Sequence, residues 1–327
     1  MATSRDVAKI AGVSHATVCR VFSEPESVSE KTKILVHKAA KKLNYVPNSL
    51  ASSLKKTNAN TVGVVISNIR NSFFTNIAYG LQKNLNKKNI NLLINFSNEN
   101  ISEEKECIKL HLSYRTSIIL FTPSTYDDKV EEMLRLSTKV RFIQLFRKGY
   151  ENIDSIVVDD YEGTRKLTKL FIENGHKKIL LLDGMCDIPT HRDKGYIDAF
   201  IEEGIEVDEQ FLVSLSLNEP NHDEIQRLIK VLKPTAIIAV SEIITSEVVE
   251  VLNCNNIEIG KDISLAVYDD SFTAKALQLT AIGHDKELIE TSIIKKINKI
   301  MENDMTEHFH LKIEPVLIER KSIKKLK

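Results

Sequence analysis

Two different rhythms of apolar residues run along this chain of 327 residues, and they change over near residue 61. In the first sixty positions apolar residues recur at intervals of three and four, the period of helices with one buried face. Thr3-Ser4-Arg5-Asp6 has the form of a capping box, with Thr3 as N-cap and Asp6 reaching back to it. Val7, Ala8, Ile10 and Ala11 then supply an apolar stripe, and Gly12 ends the helix because it tolerates positive φ. Ser14 is placed to cap a second helix over 15–22 whose Val18 and Val21 face inward, and Glu24-Pro25-Glu26 breaks it. Ser29 is placed to cap a third, in which Ile34, Leu35, Lys38, Ala39 and Leu43 recur at helical spacing. Pro47 stops further helix, and a polar stretch follows over 48–60.

Beyond residue 61 short β-branched runs alternate with amphipathic segments. The pattern predicts strands over 62–66, 90–96, 117–121, 140–145 and 155–158, with helices over 73–87 and 103–113 between the early ones. A second series follows, with helices over 161–173, 192–203, 223–232, 245–253 and 286–301. Its strands fall over 179–182, 211–217, 236–240 and 264–267. Strand and helix in turn imply parallel sheets, and about ten strands suit two α/β lobes better than one sheet. The first crossing between lobes is expected over 159–163.

Composition narrows the function. Hydrophobic residues make up 42% and charged residues 28%, which excludes a disordered or collagen-like chain. No apolar run approaches the length of a membrane span, and the polar start carries no apolar export signal. Cys19, Cys107, Cys186 and Cys254 are widely spaced, as expected of thiols in a reducing cytoplasm, so a cytoplasmic protein without a membrane partner is expected. No two of the eleven glycines are separated by a single residue. That removes GxGxxG, and the GxxxxGK phosphate loop, GxSxG and HExxH are absent as well, so an enzyme is not expected. No cofactor is expected, and His308-x-His310 has no third ligand nearby that would make it a metal site.

Charge is distributed unevenly despite a net value of zero. Residues 1–60 carry ten Lys and Arg against four acids, and the rest carries the opposite excess of six. A basic head on an acidic body points to a polyanion as the partner of the head. The segment from Asp6 to Val18 has the form of a helix-turn-helix: small Ala8 lets two helices approach, Gly12 turns the chain, and Val13 and Val18 plug the gap. The second helix would enter a major groove, with His15, Ala16 and Arg20 as candidates for base edges. Ser4, Ser14 and Thr17 are suited to phosphate oxygens. A structural three-helix cap with a solvated basic face is the alternative.

These residues resemble a known family. Asp6-Val7-Ala8-x-x-Ala11-Gly12-Val13-Ser14-x-x-Thr17-Val18-x-Arg20, then Val28-Ser29, then Leu43-Asn44-Tyr45-x-Pro47-Asn48-x-x-Ala51-x-x-Leu54, are similar to the lactose-repressor (LacI) family of bacterial transcription regulators. The likeness continues through Thr61-Val62-Gly63-Val64-Val65, Asn174-Gly175-His176, Gly195-Tyr196 and Tyr268-Asp269-Asp270. It implies a hinge over 47–60 that becomes helical on operator DNA. Asn48, Ser49 and Ala51 would lie in the minor groove, and Leu54 would wedge between base pairs at a cost recovered through wider contact. A plain flexible linker is the other reading, and it leaves Ala51 and Leu54 at helical spacing unexplained.

The fold so implied is an N-terminal all-α helix-turn-helix head plus an α/β core of two doubly wound parallel-sheet lobes, periplasmic-binding-protein-like. The head spans 1–46, the hinge 47–60 and the core 61–327. One lobe takes about 61–158 and 284–312, the other about 159–283 and 313–327. An effector would bind between the lobes, at the carboxyl ends of strands. Phe73 and Phe74 match positions that lie against effector rings in the family, or they simply open a buried helix. Arg192 and Asp269 match effector-contacting residues, and a guanidinium fork suits planar polar groups. Phe146 and Ser241 stand at pocket positions where the family commonly has Asp and Asn, with Arg147 and Glu242 beside them. Ser72 replaces a usual proline, Leu277-Gln278 replaces a usual proline pair, and the loop over 185–191 is about two residues short.

The expected protein is therefore a homodimeric, cytoplasmic, DNA-binding transcription regulator, most simply a repressor. Its effector would be a sugar, sugar phosphate or nucleoside-like molecule. Control by a phosphorylated phosphocarrier protein is an alternative within the family; a cytosolic α/β ligand-binding protein or a sugar enzyme is one outside it.

Overall fold

The computed structural model describes residues 2–45, 61–302 and 308–326. The chain divides into two compact units, Met1–Ala59 and Asn60–Lys327. The hinge positions Asn48, Ser49, Ala51 and Leu54 lie outside the described residues.

The first unit holds α1 (Ser4–Ala11), α2 (His15–Ser23), a 3-10 turn (Pro25–Ser27) and α3 (Glu30–Lys42). Its helix ends are satisfied by near neighbours. The Asp6 amide donates to Thr3 Oγ1 over 3.3 Å, and the Thr3 amide donates to Asp6 Oδ2 over 2.8 Å, so the capping box is closed. Gly12 takes φ +68°, where a side chain would be strained, and its amide closes α1 on the Ala8 carbonyl. Val7, Val18 and Val36 have no exposed surface, and Ala8, Val21, Ala39 and Ala40 complete a small core. Ile10, Ile34 and Leu35, expected to face inward, are instead 47%, 64% and 43% exposed. The inward stripe of α3 is Val36, Ala39, Ala40 and Leu43. At about 100° per residue, Ile34 sits roughly 200° around the helix from Val36.

The second unit begins with β1 (Thr61–Ile66), α4 (Ser72–Asn86), β2 (Asn91–Phe96), α5 (Ile101–Ser113), β3 (Ile118–Phe121), α6 (Asp128–Leu136), β4 (Arg141–Phe146) and β5 (Asp154–Val158). It continues through α7 (Asp160–Glu173), β6 (Ile179–Gly184), α8 (Arg192–Glu202), β7 (Leu212–Leu215), α9 (His222–Leu232), β8 (Ala236–Ala239) and α10 (Glu242–Cys254). The last elements are β9 (Ser264–Tyr268), α11 (Phe272–Ala276), β10 (Thr280–His284), α12 (Lys286–Met301), β11 (His310–Ile313) and β12 (Pro315–Ile318). Among these, the sequence pattern does not predict α6, α11, β10, β11 or β12.

The strands form two six-stranded sheets, ordered β11-β5-β4-β3-β1-β2 and β12-β10-β9-β8-β6-β7. Every pair in the first sheet is parallel. Central strands such as Ile118–Phe121 are buried along their whole length, as sheets covered by helices on both faces require. The second sheet departs from the parallel expectation at one edge, where β12 runs antiparallel to β10. Between β10 and its partner β12 the chain passes through α12 and through β11 of the other sheet, and Glu314 alone separates β11 from β12. Helix α12 buries Ile289, Ile293 and Ile297 in the core of the first sheet beside Ile77 and Leu81 of α4. The chain therefore passes between sheets three times: after β5, after β10 and after β11.

Candidate functional site

The carboxyl ends of β4, β6, β8, β9 and β10 and the loop after β1 come together around a cleft of about 60 Å³. Doubly wound sheets place ligands at such ends because the crossovers leave the loops free there. The first lobe supplies an aromatic corner. Phe73 and Phe74 open α4, and Phe146 ends β4. The rings of Phe73 and Phe74 each lie 5.0 Å from that of Phe146. Both phenylalanines of α4 also belong to the lobe's hydrophobic core, so the two roles foreseen for them coincide.

The second lobe supplies the charge. Gly195 lets α8 lie directly against α7; a β-carbon there would stand 2.2 Å from the Tyr161 carbonyl oxygen. That approach sets Arg192, the first residue of α8, beside Asp160, the first of α7. Arg192 Nε and Nη2 donate to Asp160 Oδ1 over 3.2 and 2.9 Å, and Nη1 donates to Asp183 Oδ1 over 2.9 Å. Its guanidinium also lies over the Tyr268 ring at 4.8 Å, and the Tyr268 hydroxyl donates to the Asp160 carbonyl. Burial works against the Arg192 charge, yet Asp160 and Asp183 hold its pKa well above the ordinary value. Burial pushes Asp160 the other way, upward, against the pull of Arg192.

Across the cleft, Arg147 binds Glu99 in a bidentate pair over 2.6 and 2.9 Å. Asp269 is different. It is 8% exposed, and its carboxylate has no hydrogen-bond donor among the described residues; His284 Nε2 lies 4.0 Å from it. Burial pushes Asp269 up to about 7 and pulls His284 down to about 4. His284 Nδ1 is buried without a partner among the described residues, and its ring lies 5.4 Å from Phe73. Phe146 and Asp269 take φ +68° and +66°, a left-handed conformation costing roughly 1–2 kcal/mol for residues with a β-carbon. Such strain at two strand ends facing one cavity marks a site at which position matters more than backbone comfort.

Among the described residues, three hydrogen bonds hold the lobes together over the cleft, besides the ring contact of Phe73 with His284. The Ser72 amide donates to Glu242 Oε2 over 3.1 Å, Asn218 Nδ2 donates to the Asn98 carbonyl over 2.9 Å, and Arg70 donates to the Leu217 carbonyl.

In the head, α2 presents Ala16 and Arg20 to solvent. The Arg20 side chain makes no hydrogen bond or ion pair with another described residue. Ser4 Oγ and His15 Nε2 lie 2.8 Å apart, so these two candidates meet each other. Ser14 caps α2, accepting from the Thr17 amide at 3.0 Å while its hydroxyl lies 2.8 Å from that of Thr17.

Residues 3–48 match the description "Bacterial regulatory proteins, lacI family", and residues 168–323 match "Periplasmic binding protein-like domain". The chain is 28% identical over 331 residues to the HTH-type transcriptional regulator RegA of Clostridium saccharobutylicum, covering 98% of this chain and 99% of that protein. It is 27% identical over 334 residues to the HTH-type transcriptional repressor PurR of Photobacterium profundum, covering all of both. The chain belongs to the LacI family of bacterial regulatory proteins. The fold agrees, with a TM-score of 0.79 to the Lac repressor dimer bound to operator and the anti-inducer ONPF, at 21% identity over 99% of each chain. The relatives are transcription regulators rather than enzymes. Among the described residues no helix is long and apolar enough to cross a membrane, and no cluster of His, Cys, Asp or Glu could hold a metal ion.

Within this LacI-family core, all six candidates from the sequence, Phe73, Phe74, Phe146, Arg192, Ser241 and Asp269, line one cleft. Ser241 also caps α10, accepting from the Ile244 amide at 3.2 Å. Sequence reasoning missed Glu99, Asp160 and His284 as cleft groups, and Asp183 as the partner of Arg192 behind them. Asp159-Asp160 at a helix start reads as ordinary capping, and nothing in the sequence ties Asp183 to an arginine nine residues later. His308 and His310 stand apart from the cleft, against Asp154 and Ser155 respectively.

Proposed function

We propose that this chain is a repressor that binds operator DNA as a homodimer in the cytoplasm and is released or tightened by a small molecule held in the cleft. The observation that carries the reading is the cleft itself: buried side chains of both lobes surround a space where, among the described residues, Asn68 Nδ2 and His284 Nδ1 are buried without hydrogen-bond partners and the Asp269 carboxylate accepts no hydrogen bond. Groups so buried cost stability unless a ligand satisfies them. The names of the relatives, a regulator and a repressor, support the output on transcription. The effector class is a sugar, sugar phosphate or nucleoside-like molecule, because an aromatic face beside hydrogen-bonding charges suits a ring that carries polar substituents.

In the head, Ala16 and Arg20 read base edges and His15 joins them when its contact with Ser4 opens. Ser4, Ser14 and Thr17 approach phosphates. Over 47–60, the resemblance supports a hinge in which Asn48, Ser49 and Ala51 follow the minor groove and Leu54 wedges a base step. Two copies place two heads on a pseudo-palindromic site. Linkage then requires the effector to distinguish DNA-competent from DNA-incompetent lobe arrangements, with a coupling of about 1–3 kcal/mol.

Selection of genomic fragments by the full chain tests this reading. The expected result is a set of enriched fragments sharing a two-fold site, with Leu54→Ala weakening their binding while the core unfolds at an unchanged temperature. Binding no stronger than to random duplex at moderate salt contradicts it.

A further inference from the structure

The cleft is crowded with negative charge. Arg147 and Arg192 face four carboxylates there or directly behind it, Glu99, Asp160, Asp183 and Glu242, and Asp269, pushed up by burial to about 7, adds a fifth that is only partly charged at neutral pH. His284 adds no charge at neutral pH, because burial holds it down to about 4. Lys286 contributes a more distant positive charge felt by Asp269. Glu99 neutralises Arg147, and Asp160 with Asp183 more than neutralises Arg192.

What remains on the two guanidiniums is geometry rather than charge. Arg192 commits three of its five N–H groups to Asp160 and Asp183, and Arg147 commits two of its own to Glu99. The uncommitted N–H groups donate well to hydroxyl or ring oxygens. They cannot offset a phosphate, whose charge would enter a low-dielectric space already negative. Asp269 asks for the opposite kind of atom: a buried carboxylate without donors is satisfied by hydroxyl or ammonium hydrogens. The corner of Phe73, Phe74 and Phe146 offers a face for the body of a ring.

We propose that Asp160 and Asp183 determine specificity by charge: holding Arg192 between them, they reserve the cleft for an uncharged or amine-bearing polyhydroxyl ring and turn away phosphorylated and carboxylated ones. This rests on the effector reading given above and narrows it. Asp183 is the more telling of the two. Its Oδ1 accepts from Arg192 Nη1 over 2.9 Å and from the Gly184 amide over 2.8 Å, so it compensates the arginine from the end of β6. Substituting an amide there removes the charge and keeps the shape.

The test uses the full chain and matched ligand pairs: glucose and glucosamine against glucose 6-phosphate, ribose against ribose 5-phosphate, adenosine against its monophosphate. Inorganic phosphate is a separate probe. Wild type, Asp183→Asn and Asp160→Asn/Asp183→Asn are compared by calorimetry and thermal unfolding, with circular dichroism to establish that each is folded. In any pair that binds, the wild type is expected to prefer the unphosphorylated member by tenfold or more. Inorganic phosphate is expected not to raise its unfolding midpoint. The double variant is expected to gain a phosphate-dependent rise in midpoint, and Asp183→Asn a smaller one that suffices if the double variant does not fold. A phosphorylated member binding wild type as tightly as its parent overturns the charge preference while leaving the effector reading in place. Phosphate responses equal in wild type and variants overturn it as well. Binding of ligand pairs outside the cleft, unaffected by Asp269→Asn, removes the effector reading and the preference with it.

Discussion

The head and the cleft solve the same problem, the placement of polar groups, in opposite ways. In the head every helix start is served by a residue three positions away: Thr3 for Asp6, Ser14 for Thr17, Ser29 for Thr32. Its groups are exposed and cheap to satisfy, and its core of valine and alanine is small. In the cleft the partners come from afar, Arg147 with Glu99 and Arg192 with Asp160, and they are buried. There, among the described residues, the second lobe keeps one carboxylate and the edge of one imidazole without donors or acceptors. A region that only has to present a surface is satisfied by itself. A region that waits for a ligand is left incomplete.

The largest break in that contrast should come from Arg192→Ala. It leaves Asp160 and Asp183 buried without their cation, and losing one partner of a buried pair costs about 3–5 kcal/mol. Urea unfolding of the core should show that loss, whereas Arg20→Ala, on an exposed arginine of the head, should leave the midpoint unchanged.

Asp269→Asn should act in the reverse direction and only with pH. Burial raises this carboxyl from 3.8 to about 7, so between those values the folded chain keeps a proton that the unfolded chain has released. The stability this provides is complete below pH 4 and is lost as pH rises through 7. The asparagine variant should therefore exceed wild type by on the order of 4 kcal/mol above pH 7, with the gap closing below pH 4. A gap independent of pH would mean that Asp269 is not the group that titrates.

Smaller effects belong to the head. Arg20→Ala should weaken operator binding by about 1–3 kcal/mol, and relax sequence preference at one position rather than at all, as read by binding to a panel of operator variants. Thr3→Ala should cost roughly 1 kcal/mol of head stability through the lost cap, with no change in ligand binding by the core.

The same contrast explains what the sequence could reveal. Caps are local, so Thr3, Gly12, Ser14 and Ser29 were legible, as were strands with unbroken β-branched runs such as β1. Facing was less legible in a thin core: Ile34 and Leu35 look like core residues until Val36 and Ala39 fix the helix's rotation. Helix α6 escaped because it is only nine residues long and turns only Val130 and Leu134 fully inward, with Met133 half-buried beside them. Strand β12 escaped because its partner β10 lies beyond a whole helix and another strand, and pairs antiparallel, Ala281 opposite Ile318. The cleft's aromatic and charged candidates came from motif resemblance. The carboxylates that decide its charge, Asp160 and Asp183, came only from three-dimensional proximity to Arg192.

The most direct measurement is the operator affinity of the full chain, by fluorescence anisotropy, with and without a ligand that binds the cleft, in wild type and in Asp269→Asn. The expected result is a roughly 5- to 150-fold change in wild type, corresponding to about 1–3 kcal/mol of coupling, that is lost in the variant. A ligand that fills the cleft while operator affinity stays the same would contradict the link between cleft and head.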